Sequence, residues 1–218
     1  MTAIETAQSD HARTLRLGDF APNFEARTTF GPVSLSDYRG RWLLLFSHPA
    51  DFTPVCTTEF VAFSKAADRF AAMDCDLLGV SVDSLYAHLA WVRAIRDSFG
   101  VTISFPIVED PSMVIGRAYG MIAEGAGDAA TMRSTFFIDP AGIIRAITCY
   151  PATVGRSVDE LLRLLAALRR VDADDIETPE GWQPGDDVLL PPEVHQEAML
   201  AREAGGDWFH RVATGARK

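Results

Sequence analysis

The sequence predicts an α/β domain built on a mixed sheet, and three observations predict it. The run Trp42-Leu43-Leu44-Leu45-Phe46 is unbroken, as in a strand buried on both faces. Beyond it, short apolar runs alternate with segments of helical period. Near residue 140 the pattern changes: Ser134-Thr135-Phe136-Phe137-Ile138 and Ile143-Ile144-Arg145-Ala146-Ile147 flank the turn Asp139-Pro140-Ala141-Gly142, which marks an antiparallel hairpin. Buried strands linked through helices, closed by a hairpin, give a sheet with both parallel and antiparallel pairs.

The elements follow in order. Residues 1–13 read as a frayed leader, and Leu15 to Phe24 as a loop entering a short strand. Val33-Ser34-Leu35-Ser36 alternates like a half-buried strand, and Asp37-Tyr38-Arg39-Gly40 punctuates the chain before the central run. Cys56, Phe60, Phe63, Ala67 and Phe70 recur at three- and four-residue steps, one face of a helix. Residues 77–82 read as another buried strand. Asp83 or Ser84 then caps a helix whose apolar face is expected at Leu89, Val92, Ile95 and Phe99. A short strand is expected over 103–108 and a brief helix from Glu109-Asp110-Pro111 to Tyr119. Ser157-Val158-Asp159-Glu160 has the form of a capping box ahead of Leu161, Leu164, Leu165 and Leu168. Composition shifts at the acidic run Asp172-Ala173-Asp174-Asp175. The expected division is therefore a domain over 14–171 and a C-terminal extension arm over 172–218. The arm holds Trp182, Val188-Leu189-Leu190, a helical stretch over 193–204 and Trp208-Phe209, and it is too small to fold alone.

Composition narrows the function classes. The chain has 218 residues, 48% hydrophobic, which is enough for a filled core and too apolar for disorder. Its net charge is −10, from 20 Lys and Arg against 30 Asp and Glu, which argues against a nucleic-acid surface and against anionic membranes. No apolar run approaches the ~18 residues of a membrane span, and the first ten residues lack the basic and apolar regions of a secretory signal. Three cysteines, an odd and low count, suit a reducing cytoplasm. They are scattered, with no Cys-x-x-Cys, so no metal site is expected. No phosphate loop or dinucleotide fingerprint is present, so no organic cofactor is expected either.

Chemistry concentrates in the stretch from Ser47 to Glu59, between the central strand and the first helix. Pro54 fits the first helical position and Thr53 the N-cap, which puts Cys56 in the first turn. A cysteine at such a strand-to-helix turn makes a thioredoxin-like sheet the specific fold expected. A helix N-terminus favours the thiolate, the nucleophilic form. Bringing a free thiol from about 8.5 to about 6 needs roughly 3.4 kcal/mol at ~1.36 kcal/mol per unit. The helix end supplies about 0.3–2 kcal/mol, so a cation from elsewhere is required, and Arg is the residue that cannot lose its charge. The Thr53 hydroxyl is placed to donate to the sulfur or to a substrate oxygen.

The segment Pro49-x-x-x-Thr53-x-x-Cys56 resembles the active-site motif of the peroxiredoxins, and the string from Ser47-His48-Pro49 to Cys56-Thr57-Thr58-Glu59 resembles their one-cysteine subfamily of mammalian and archaeal type. Gly18-Asp19-x-Ala21-Pro22-x-Phe24 is similar to the opening of such chains. The resemblance implies a thiol-dependent peroxidase that reduces hydrogen peroxide and organic hydroperoxides through a sulfenic acid on Cys56. An external thiol, such as thioredoxin or glutathione, then restores the site. It implies that Arg133 pairs with the sulfur and that Arg156 lies near it, although an ordinary helix-entry Arg reads equally well for Arg156. Pro49 shapes the turn and shields Cys56. His48 tunes access or is merely structural; Glu59 holds an Arg or is an exposed helix acid. The arm is expected to cross to a partner subunit in a homodimer, with rings of dimers left open. Cys75 sits between acids, which disfavours its thiolate, and Cys149, at the end of an apolar strand, reads as a buried packing residue; neither stands where the family places a resolving thiol, the arm has no Cys, and whether either ever resolves is left open. Gly40-Arg41-Trp42 lacks the Ser of the lipase-like motif of some animal members, so no phospholipase activity is expected by that route. Two other readings stand beside the peroxidase. A thioredoxin-type disulfide exchanger is disfavoured by Thr53 in the place of a second Cys. A redox-regulated holdase or signalling assembly would use the same cysteine as a sensor.

Overall fold

The computed structural model describes residues 14–122, 130–201 and 208–215. The leader over 1–13 and the part of the expected helical stretch beyond 201 lie outside the described residues. The chain divides into two compact units, residues 1–156 and 157–218.

The first unit is a seven-stranded mixed sheet flanked by helices, in the order β2-β1-β5-β4-β3-β6-β7. In chain order it contains β1 (Glu25–Thr28), β2 (Gly31–Ser34), β3 (Trp42–Ser47), α1 (Pro54–Lys65), α2 (Ala67–Ala71), β4 (Cys75–Ser81), α3 (Leu85–Phe99), β5 (Ile107–Glu109), α4 (Val114–Ala118), β6 (Arg133–Ile138) and β7 (Ile144–Tyr150). Strands β3, β4 and β5 run parallel, while β6 is antiparallel to β3. Every residue of β3 is buried, which explains its uninterrupted apolar run.

Alternation along the strands feeds two cores. Leu43 and Leu45 of β3 join Leu78, Val80, Val108, Phe136 and Ile138, covered by Ile115 of α4 and by Tyr119 and Met121. On the other face Phe46 stacks on Phe63 of α1 at 4.3 Å between ring centroids and meets Phe60 at 5.6 Å. Phe60 in turn meets Trp91 of α3 at 4.6 Å. Gly79 of β4 makes this possible, because a Cβ there would lie 3.3 Å from the Phe60 ring and 3.6 Å from that of Phe46.

Helix α3 corrects the sequence reading in phase. Its buried face is His88, Trp91 and Ile95, while Leu89 and Phe99 are exposed. Scoring aliphatic residues alone misses it, since a His and a Trp carry the burial. Ser84 is the cap, its hydroxyl accepting from Ala87 N–H at 3.3 Å. The expected strand over 103–108 shortens to β5, ahead of which Pro106 removes a ladder donor.

The second unit contains α5 (Val158–Ala173), β8 (Val188–Leu190), α6 (Gln196–Leu200) and β9 (Arg211–Ala213). Ser157 caps α5 by accepting from Glu160 N–H at 3.3 Å. Strands β8 and β9 pair antiparallel, and Trp182, Val188 and Ala167 form a small core.

Candidate active site

Parallel pairing puts the C-terminal ends of β3 and β4 on one edge of the sheet, where ligand sites of α/β folds gather. The turn from His48 to Thr53 leaves β3 there and enters α1. Cys56 stands in the first turn of α1, fully buried. Strand β6 runs the other way, with Phe46 opposite Thr135, so its first residue, Arg133, begins where β3 ends. That register brings together two residues 77 positions apart: Arg133 Nη1 donates to Cys56 Sγ at 3.3 Å.

Arg133 is itself held. Its Nη1 donates to Glu59 Oε2 at 2.8 Å, and its Nε and Nη2 donate to Ala152 O at 3.0 and 2.6 Å. Glu59 lies three residues after Cys56, on the same helix face. Arg156 closes the cluster with its backbone N–H on Glu59 Oε1 at 2.7 Å, Nε on the same oxygen at 2.9 Å and Nη2 on Oε2 at 2.8 Å. Arg156 Nη1 donates to Ser134 O and Thr135 Oγ1, and the guanidinium lies 5.2 Å from the Phe46 ring centroid. All three side chains are at most 2% exposed. Burial alone would push the Glu59 carboxyl up; the hydrogen bonds and charge of Arg156, with the charge of Arg133, outweigh it and hold the carboxyl below its usual range. Two guanidiniums against one carboxylate leave one positive charge in excess beside Cys56 Sγ.

Thr53 occupies the N-cap position without capping, since its hydroxyl donates to Ala50 O at 2.8 Å. Its oxygen lone pairs stay available as acceptors, and the first-turn N–H groups have no side-chain cap. Pro49 is buried in the turn. His48 directs Nε2 at Asp51 Oδ1, 2.8 Å away, stacks on Trp91 at 5.2 Å, and makes no hydrogen bond to sulfur. Asp51 and His88 are part of this surrounding and were not singled out from sequence; the signal was a His on the α3 face shared with Trp91 and Ile95.

Cys75 lies far from this edge, while Cys149 lies at it on the opposite face of the sheet, exposed rather than packed away as the end of an apolar strand suggests. Cys75 pairs with Trp42 at the far end of β3, about five strand steps or ~16 Å from Ser47. Cys149 pairs with Ser134, whose side chain leaves the sheet on the face opposite to that of Arg133. Among the described residues no helix is long and apolar enough to cross a membrane.

Comparison with known proteins gives the family. Residues 17–147 match the AhpC/TSA family, and residues 167–205 match the C-terminal domain of 1-Cys peroxiredoxin. A peroxiredoxin of Aquifex aeolicus is 44% identical over 209 residues, covering 89% of this chain and 94% of that protein. Peroxiredoxin 2 of Picrophilus torridus is 46% identical over 195 residues, covering 88% and 96%. Among solved structures, the yeast mitochondrial 1-Cys peroxiredoxin superposes with a TM-score of 0.82 at 38% identity, covering 92% of this chain and all of that one. A cysteine-to-serine mutant of Peroxiredoxin 6 from Arenicola marina gives 0.84 at 30% identity, covering 94% and 100%. The chain belongs to the peroxiredoxins, in their one-cysteine branch, and it is a thiol-dependent peroxidase with a thioredoxin-like fold.

Proposed function

We propose that Cys56 is the peroxidatic sulfur and that it works without a second cysteine of the same chain. The observation that carries this is the 3.3 Å contact between its Sγ and the buried Arg133 guanidinium at the mouth of α1. The thiolate attacks the terminal oxygen of a hydroperoxide. An S–O bond forms as the O–O bond breaks, and the electron pair leaves on the alkoxide, which takes up the proton of the attacked hydroxyl. Sulfur is oxidised to sulfenate, and peroxide is reduced to alcohol or water. Thr53 Oγ1, already donating to Ala50 O, accepts from the hydroperoxide O–H and orients it. Arg133 and the uncapped N–H groups of the first turn hold the charge developing on the leaving oxygen. Glu59 and Arg156 position Arg133, Pro49 shields the sulfur, and His48 braces the turn.

External thiol then completes the cycle. One thiol condenses with the sulfenic acid, releasing water and leaving a mixed disulfide; a second thiol releases Cys56. Thioredoxin or glutathione is the proposed reductant, supported by the described resolution of the yeast mitochondrial relative through glutathione and thioredoxin systems. The cytoplasm is the proposed compartment, supported by the low cysteine count. The arm is the proposed dimer contact, supported by the exposure of Val194, Leu200 and Phe209.

Mass spectrometry after one equivalent of peroxide tests the chemistry. The expected product carries one oxygen on Cys56, trappable as a sulfenic acid, with no bond to Cys75 or Cys149. Cys56→Ser is expected to abolish peroxide consumption, and full activity in that variant overturns the assignment. Native mass spectrometry of the full chain, against a chain ending before residue 172, tests the dimer.

A further inference from the structure

A second buried cluster stands beside the peroxidatic turn. Asp51 lies in that turn, two residues before Thr53. Its Oδ1 is 2.8 Å from His48 Nε2 and its Oδ2 is 2.7 Å from His88 Nδ1. Both imidazoles are 0% exposed and the Asp51 side chain 2%. The other nitrogen of His88, Nε2, is 3.2 Å from Val108 O in β5. His48 Nδ1 has no hydrogen-bond partner among the described residues. The three facing atoms lie within 4.8 Å of one another, a grouping that a cation could in principle use. Each is already engaged in a short hydrogen bond, however, and the unpartnered nitrogen is on the far side of its ring from the carboxylate. The cluster is arranged for protons.

Donor and acceptor rules fix how many it holds. A backbone carbonyl only accepts, so His88 Nε2 carries hydrogen. The bond from His88 Nδ1 to Asp51 Oδ2 then needs a further proton, on one atom or the other. At the opposite oxygen, His48 Nε2 donates, which leaves Nδ1 as a bare lone pair rather than a stranded buried N–H. Two neutral imidazoles and an ionised carboxylate would carry one negative charge; this arrangement carries none.

We infer that His88 is a positioning residue for the peroxidatic turn, anchored on Val108 O and acting through Asp51, with one proton shared along the His88–Asp51 bond so that the His48–Asp51–His88 array is electrically neutral. The turn needs such a brace. Phe52, next to Asp51, has φ 56, a left-handed conformation that a non-glycine residue keeps only when its surroundings impose it. Asp51 N–H also donates to Asp83 Oδ2 at 3.0 Å, an oxygen that accepts from Ser81 Oγ as well, so the turn is tied to β4. Through Asp51, helix α3 and strand β5 set the entry to α1, and with it Thr53 and Cys56. Neutrality matters too, because an uncompensated carboxylate five residues before Cys56 would oppose a sulfur anion. The inference rests on Cys56 being the reacting sulfur.

Nuclear magnetic resonance of the reduced full chain with isotope-labelled histidine reads the proton count directly. The expected pattern is hydrogen on both sides of His88, one of them bridging to Asp51, and hydrogen on His48 at Nε2 alone. A His88 protonated only at Nε2 beside an ionised Asp51, or a His48 protonated at Nδ1, overturns it. The positioning role is read by paired variants. His88→Leu is expected to lower the rate constant with hydrogen peroxide by about ten- to a hundredfold. His88→Asn, whose amide nitrogen reaches the Nδ1 position, is expected to recover most of that loss. Equal loss in both variants, or parent rates in both, overturns the role. If His88→Leu does not fold, His88→Gln, whose amide nitrogen reaches the Nε2 position and so keeps Val108 O while losing Asp51, takes its place in the pair, and the resonance pattern of the unaltered protein decides the proton count in either case. An active Cys56→Ser protein would remove the peroxidatic assignment while leaving the proton count intact.

Discussion

Two buried polar clusters flank the same helix mouth, and they are built from different cations. Arg133, Glu59 and Arg156 use guanidiniums, which keep their charge at any ordinary pH, and they hold one positive charge in excess. His48, Asp51 and His88 use imidazoles, whose protons can be shared or absent. The first cluster calls for an anion and touches the sulfur. The second has no contact with the sulfur and ties the turn to α3 and β5. The comparison teaches that residue type, rather than burial, separates a cluster with a fixed positive excess from one whose protons can move.

Removing the permanent cation should have the largest effect. Arg133→Met is expected to slow peroxide consumption by about 10²–10³-fold, measured by stopped-flow, since it deletes the donor aimed at the sulfur. Arg133→Lys should recover only part, because the bonds to Sγ, Glu59 and Ala152 O come from nitrogens spaced across a planar fork, which one ammonium nitrogen does not reproduce. A Lys variant with the parent rate would mean that charge alone matters. Next comes the carboxylate between the two arginines. Glu59→Gln removes the carboxylate that both buried guanidiniums share, and chemical denaturation should show a loss of about 3–5 kcal/mol. An unchanged midpoint would contradict the cluster as described.

Acid should separate the clusters more gently. Burial lowers the pKa of His48 despite its bond to Asp51, so below about 6.5 the unfolded chain binds a proton that the folded one refuses. Stability falls there with decreasing pH, by roughly 1.4 kcal/mol per pH unit for that one group. Asp51 and Glu59 are both held below the usual carboxylate range, against the upward push of burial, by hydrogen bonds from His48 and His88 in one case and from Arg156 in the other. Their stabilisation is present above about 4 and is lost as pH falls through their folded values. Denaturant titrations across this range should give a shallow first decline and a steeper second one; a flat response down to the carboxylate range would contradict the neutral His48. The smallest effect is expected at Cys149→Ser, on an exposed edge-strand position, which should leave the peroxide rate at the parent value.

The sheet and the turn were legible because both are local. The apolar run of β3, the Pro54 start of α1 and the hairpin of β6 and β7 are each set by residues close together in sequence. Arg133 was legible only through family resemblance, since its approach to Cys56 depends on the β3–β6 register. Arg156 looked like an ordinary residue entering a helix, and its hold on Glu59, by backbone and side chain together, involves residues 97 apart in sequence. The Asp51–His88 bond was invisible for the same reason. The wrong phase of α3 hid it further, because a buried histidine counts as polar until its partner is known.

Cys56 is completely buried, and with Cys56 as the reacting sulfur, as proposed, its two reaction partners meet that burial differently. A compact oxidant can slip to the sulfur with little disturbance, while a macromolecular reductant must first see the opening turn of α1 loosen. On the proposed assignment, the seal that keeps Cys56 dry is thus also the barrier between the oxidised sulfur and the thiol that restores it.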